Sequence, residues 1–445
     1  MLLKYFRPLL LTFAAQLICG APPLLSRTLY LAPNGDDLAP CENGAVFLTL
    51  KRAAGCLAPG DTLIVRKGSY QGGVEFRIKA SETSPVVIRG ENLESVIEGS
   101  GEMPDGIRIE GSSHILIDNL CVREAGRAGC GVRHSDHVTI TRSLFADNGR
   151  WGIFTSFADD IRFEDNECRG SKMEHGIYHS NSGDRFVIRG NRVHDNRGNG
   201  IHMNGDPEIK GGDGVLNWGL VERNIVYRNG PGGGAGINMT HVHDVLVRNN
   251  LLYRNVAGGI TVYQDTGTFE QGSKRVLIMG NTVYYAPDEG RSGINVQTTS
   301  EKVMIAGNIF VSGGKRGNLE VNSDHLASVL SDFNILWGVD QAQMFERKDS
   351  LLSLQAWRSL SGNDTHSKHA DPRFTGLAGD DYSLSAASPA VDAGMPEKEV
   401  RERLEKLGGC EWLLERLNEL PAEDILQNGR PQGHAPDAGA FERNE

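Results

Sequence analysis

Along most of the chain, apolar residues fall at every second position in short runs, and tight polar turns separate the runs. Residues 138–140, 186–188, 245–247, 276–278 and 303–305 all alternate in this way, which predicts short strands with one buried face. A Gly followed by Ile or Val opens a further run at Gly106, Gly131, Gly152, Gly176, Gly200, Gly236, Gly259 and Gly293, in steps of 25, 21, 24, 24, 36, 23 and 34 residues. A second marker keeps pace at Asn119, Ser143, Asn166, Asn191, Asn224, Asn250, Asn281, Asn308 and Asn334. No helical period interrupts the units between Glu174 and Asp206.

A unit of short strands and turns cannot bury its own apolar side, so it must stack on copies of itself. The pattern therefore predicts an all-β solenoid, a parallel β-helix, in which asparagines stacked at one turn hydrogen-bond along the axis. Leucine-rich repeats need a Leu pattern that is absent, and propeller blades are longer than this unit.

The ends depart from the repeat. Lys4 and Arg7, an apolar run from Leu9 to Cys19, and Gly20 with Ala21 read as a signal peptide over residues 1–21, which implies a secreted or periplasmic protein. The run is too short to span a bilayer, and no other stretch is a candidate membrane span. Residues 22–60 are expected to form an N-terminal segment and cap, 61–340 the β-helix, and 341–445 C-terminal coils with a helical cap segment. Within that last part, residues 397–420 carry leucines at three- and four-residue spacing around Gly408 and Gly409, which predicts two short helices. Export also changes the reading of the cysteines. Cys41 and Cys56 bracket the amphipathic stretch 47–54, suited to a capping helix, and are the expected disulfide. Cys121, Cys130, Cys168 and Cys410 are left to pair or to stay buried, and their spacing fits no zinc site.

With 445 residues, 55 of them glycine, the chain suffices for one elongated domain, expected to be a monomer. Its formal net charge of −11 argues against nonspecific nucleic-acid binding, so an acidic ligand would have to be held by local basic groups or a cation.

Residues 58–70 (APGDTLIVRKGSY), 85–90 (PVVIRG), the Gly-Ile rungs and the closing 436–442 (PDAGAFE) resemble the secreted right-handed parallel β-helix proteins of the pectate-lyase-like superfamily. The resemblance runs from about residue 28 onward and implies a right-handed coil. It leaves the chemistry open among lyases, hydrolases and epimerases acting on polysaccharides.

Alternation within the rungs points one set of side chains outward. One outward column should hold Arg108, Arg133, Phe154, Tyr178, His202, Asn238, Thr261 and Asn295, and the next Glu110, Ser135, Ser156, Ser180, Asn204, Thr240, Tyr263 and Gln297. His134 and His179 should point inward, and His194 should serve the Asn turn. Rungs stack about 4.8 Å apart, close to one sugar residue, and the aromatic and hydrogen-bonding columns suit a sugar chain. Two insertions lengthen the path from rung Gly to Asn marker to 24 residues after Gly200 and 22 after Gly259, against 14 after Gly236. They predict two walls flanking a gap one rung wide, and long loops on a rigid scaffold are where function concentrates.

Cleaving a uronate polymer by β-elimination needs a base for the C5 proton, an acid for the departing O4 and a positive charge on the carboxylate. His202, Lys210, Tyr263 and His241 are the candidate catalytic residues. Tyr178, Ser180, Asn204, Asn238, Thr240, His243, Gln264 and Asn295 are the candidate substrate contacts. Asp206 and Asp213, on a glycine-rich loop, are candidate ligands for Ca²⁺. The motifs of the hydrolase branch (Asn-Thr-Asp, Gly-His-Gly, Arg-Ile-Lys) and of the epimerase branch (Asp-Pro-His-Asp) are absent. The expected function is a polysaccharide lyase on an acidic polysaccharide. A non-catalytic glycan-binding or surface protein, and an epimerase or hydrolase on the same fold, are the alternatives.

Overall fold

The computed structural model describes residues 26–99, 103–287, 289–314 and 316–443, and the expected signal peptide lies outside them. Three long sheets run the length of the molecule, and all but one of their strand pairings are parallel. Sheet 1 has 13 strands, from Val46–Phe47 to Val329–Asp332; sheet 2 has 12, from Gly68–Gln71 to Lys368–His369; sheet 3 has 12, from Val74–Phe76 to Ser350–Leu352. Each coil contributes one strand to each sheet, so the chain is the all-β parallel β-helix that the repeat predicts. The inward residues of all three sheets form one continuous apolar core.

The rung glycine has a steric cause. A Cβ on Gly106 would lie 2.9 Å from the carbonyl oxygen of Gly129, and the same clash recurs from Gly129 to Gly152, Gly152 to Gly176 and Gly176 to Gly200. These glycines form a column in which each backbone crosses its neighbour too closely for any side chain. The column also corrects the register. Gly129, not Gly131, is the glycine of its rung, and Gly131 pairs with Arg108 and Phe154. Arg133 therefore belongs to the second outward column, between Glu110 and Ser156, and Ser135 drops into the turn. His134 is exposed in the same turn, stacked on Phe157, where inward packing was expected.

The asparagine ladder forms. From Asn166 to Asn334 each backbone N–H donates to the Oδ1 of the next marker at 2.9–3.0 Å, through Asn191, Asn224, Asn250, Asn281 and Asn308. Ser143 begins it, accepting from the N–H of Leu120, so the position belongs to Leu120 and not to Asn119. A second, shorter ladder that the repeat search missed links Ser171, Asn196, Asn229 and Asn255 one corner further on.

Helix α1 (Leu50–Cys56) plugs the N-terminal end with Leu50, Ala53 and Cys56 buried, and Cys56 is disulfide-bonded to Cys41. Cys121, Cys130, Cys168 and Cys410, the other cysteines among the described residues, are free and buried. Helix α2 (Leu354–Ser361), which the sequence pattern did not reveal, closes the far end with Trp357 stacked on Phe345. Helices α3 (Glu397–Leu407) and α4 (Glu411–Glu419) are the predicted pair. They lie along the outside of sheet 1 over Leu220, Leu246, Leu277 and Met304. The remaining C-terminal coils cover the outside of sheet 2 over Tyr227, Leu251, Tyr253 and Ile309. Among the described residues the outer face of sheet 3 has no such apolar cover, and Tyr178, His202, Asn204, Asn238, Tyr263 and Asn295 stand on its strands, whereas His243 lies on sheet 1 and Lys210, Asp206, Asp213, His241 and Gln264 lie in turns and loops.

Candidate functional site

Strand register on sheet 3 aligns Phe154, Tyr178, His202, Asn238, Thr261 and Asn295 in one column. Ser180, Asn204, Thr240 and Tyr263 align in the next. Trp151, Phe154, Tyr178 and His202 form a continuous stack, with successive ring centroids 4.4, 5.7 and 4.9 Å apart. Glu174 anchors its edge, accepting from the Trp151 indole at 2.8 Å and from Arg150 at 3.1 Å.

His202 is not solvent-facing as the alternation suggests. It is 9% exposed, lying between Tyr178 and the edge of His175. Its protons can be assigned from the hydrogen-bond network. The Asn199 N–H donates to His175 Nδ1 at 3.0 Å, so His175 carries its proton on Nε2 and donates it to His202 Nδ1 at 3.1 Å. His202 then carries its own proton on Nε2, which is buried and has no hydrogen-bond partner among the described residues. Burial pushes the His175 pKa down to about 4, and burial with the adjacent His175 pushes that of His202 well below the usual imidazole value, so both rings are neutral at pH 7. Burial raises the Tyr178 phenol to about 12, and its oxygen accepts from Asn204 Nδ2 at 3.4 Å. Tyr263 is half-buried, its phenol raised by burial, and it accepts from Asn238 Nδ2 at 3.3 Å.

The two insertions do not leave the predicted gap. Gln271 Nε2 of the upper loop donates to the Asp213 carbonyl of the lower one at 2.8 Å, and a Cβ on Gly267 would fall 2.7 Å from Pro207. Beneath them His241 is fully buried, with Nδ1 2.9 Å from the Gln271 carbonyl and Nε2 2.7 Å from Asp265. His243 is tied to the Gly272 carbonyl at 2.8 Å. Both histidines are struts under the upper insertion, and His241 has no free nitrogen to offer a substrate. Ser180 is also buried, donating to the Thr155 carbonyl at 2.7 Å, and Thr240 is fully buried. Gln264 spends its amide on the carbonyls of Thr266 and Thr268 within its own loop. Asn204, Tyr263 and Asn295 remain half-buried, and Lys210 is exposed with no ion pair among the described residues.

Asp206 is half-buried, and its carboxyl is pushed up by burial and by Asp265 and Glu208. Asp213 is exposed, with Oδ1 accepting the Val215 N–H at 3.0 Å. Among the described residues, three such ligand atoms come within 4.8 Å of one another at His114, Asp136 and His137, not at Asp206 and Asp213.

Ten buried side-chain polar atoms among the described residues lack a hydrogen-bond partner, and four belong to this face: Arg133 Nε, His202 Nε2, Thr240 Oγ1 and Asn295 Oδ1. Folded proteins leave few such atoms, and four of the ten fall on this one face. Trp151, Glu174 and His175 are not among the candidate residues drawn from the sequence. The available signal was positional: Asp105, Trp151, His175 and Asn199 each directly precede a rung glycine and turn toward the same face.

Residues 78–211 match the family described as the right handed beta helix region. YwoF, an uncharacterized protein of Bacillus subtilis (strain 168), is 26% identical over 81% of this chain and 92% of its own length. Among solved structures, pectate lyase Pel9A superposes with a TM-score of 0.59 at 16% identity, covering 95% of this chain and 98% of that one. XylC in complex with xylose superposes with a TM-score of 0.52 at 11% identity, covering 93% and 98%. The chain is a right-handed parallel β-helix protein with the pectate-lyase-like fold.

Proposed function

We propose that the protein binds an acidic polysaccharide along the outer face of sheet 3 and cleaves it by β-elimination. The observation that carries this reading is the set of four unpartnered buried polar atoms on the one face that the C-terminal segment leaves free of apolar cover. The aromatic stack beside them offers flat apolar surface for pyranose rings. The pectate lyase among the structures of like fold adds to it.

In the elimination a base takes the C5 proton, the C4–O4 bond breaks as the C4=C5 double bond forms, and O4 receives a proton. Lys210, exposed and without an ion pair among the described residues, is the proposed base. Tyr263, whose raised pKa keeps the phenol protonated, is the proposed proton donor, and His202, a neutral ring with its proton on Nε2, is proposed to steady the departing O4 by a hydrogen bond. His241 is withdrawn from the catalytic set because both its nitrogens are occupied. Asp206 and Asp213 gather no third ligand group among the described residues, so Ca²⁺ stays in the proposal only as an added ion to be tested with EDTA.

The test is incubation with alginate, pectate and glycosaminoglycans, with and without EDTA, followed by absorbance of the unsaturated uronate. New reducing ends without that absorbance would replace elimination by hydrolysis. The burial of His202 and His241 favours a second reading, glycan binding without turnover, which binding with neither product would support.

A further inference from the structure

Four arginines border the aromatic stack, and three are neutralised by a carboxylate. Arg108 and Arg127 share the fully buried Asp105, with Arg108 at 3.0 Å and Arg127 Nε at 2.7 Å. Arg150 is paired with Glu174. Arg133 is the exception: its side chain makes no ion pair and no hydrogen bond among the described residues, and its Nε is buried without a partner. The guanidinium lies 5.3 Å from the centroid of the Phe154 ring. Glu110, its register neighbour on the rung below, is not within ion-pair distance. Burial, with Arg127 and Arg108 nearby, lowers the Arg133 pKa although Asp105 and Glu110 pull it the other way.

We infer that Arg133 is a carboxylate-binding subsite that holds one uronate of the polysaccharide against the Phe154–Trp151 platform. A guanidinium presents a planar fork of donors that matches a carboxylate, and an anion on its exposed edge supplies the missing counter-charge. The platform supplies the apolar surface on which the ring of the same sugar packs. A neutral hydroxyl would satisfy the hydrogen bond but leave the charge, which is why the geometry selects an acid. Arg133 and Asn204 lie three rungs apart, about 14 Å, or roughly three sugar residues. Arg133 thus holds a sugar about three residues along the chain from the one over Asn204 and contributes to affinity.

The inference rests on the proposed polysaccharide reading, and the experiment separates the two. Titration calorimetry with a galacturonate hexamer, a mannuronate hexamer and the methyl-esterified galacturonate hexamer is run on the wild-type chain and on Arg133→Gln and Arg133→Lys. The wild type should bind an acidic hexamer and discriminate against the ester. Arg133→Gln should lose about tenfold in affinity for the acid and most of that discrimination, with Arg133→Lys intermediate. Melting curves check both variants, and Arg133→Lys carries the test should Arg133→Gln not fold. If the wild type binds an acidic hexamer and both variants bind it equally well, the subsite is wrong while the polysaccharide reading stands. A wild type that binds no hexamer overturns both.

Discussion

Replacing Asn191 by leucine tests whether the ladder holds the coils together. Asn191 is fully buried. Its Oδ1 accepts from the N–H and the Nδ2 of Asn166 at 3.0 and 3.1 Å, and its Nδ2 donates to the Phe163 carbonyl at 2.8 Å and to Asn224 Oδ1 at 3.0 Å. Leucine has a similar volume and removes all four bonds. Asn224 Oδ1 retains the Asn191 N–H at 2.9 Å, and Asn166 Nδ2 retains the Ile140 carbonyl at 2.8 Å. The Asn166 N–H is orphaned. A buried donor without an acceptor costs about 1–3 kcal/mol, and the bonds lost by half-satisfied partners bring the expected total to about 2–4 kcal/mol. Urea denaturation followed by circular dichroism should show the midpoint fall. The exposed Lys172→Ala is the control, expected to stay within about 0.5 kcal/mol of the wild type. A midpoint for Asn191→Leu no lower than that of the control would refute the assignment of stability to the ladder.

Stability should also fall in acid. The His175 and His179 pKa values are depressed to about 4 by burial, so below pH 6.5 the unfolded chain takes up protons that the folded chain refuses. The contribution is therefore complete above about pH 6.5 and lost as pH drops toward 4, by about 3 kcal/mol for each ring; denaturation midpoints at pH 7 and pH 4.5 that coincide would contradict it. Calorimetry tests the added Ca²⁺: a binding heat that Asp206→Asn abolishes keeps the metal in the proposal, and no heat with the wild type removes it. On whichever uronate polymer is turned over, His202→Gln and Lys210→Ala should each lower the rate roughly a hundredfold. His194→Ala, on sheet 2 and stacked against Tyr227, should leave that rate unchanged. Near wild-type rates for both His202→Gln and Lys210→Ala would move the search to Glu174, His175 and Tyr178.

The repeat alone determined the coil. Alternation at period two places Ile153, Ile177, Ile201 and Ile237 in the core whatever the loops do, and the Gly and Asn columns reflect backbone crowding and turn hydrogen bonds that recur identically in each rung. The Cys41–Cys56 bond and the two helices around Gly408 and Gly409 were legible for the same reason, because each depends on residues close in sequence. What lies on top of a rung was decided only in three dimensions. The bridge from Gln271 to Asp213, 58 residues apart, closes a gap that sequence spacing had left open and buries His241 beneath it. His202 points outward by parity, yet His175 from the neighbouring coil covers it, and Arg133 is left unpaired because Asp105 serves Arg108 and Arg127 instead. Parity fixes the direction of a side chain, but exposure and charge pairing depend on neighbours one coil away. A repeat holds the backbone spacing between coils constant while leaving those side chains free to vary.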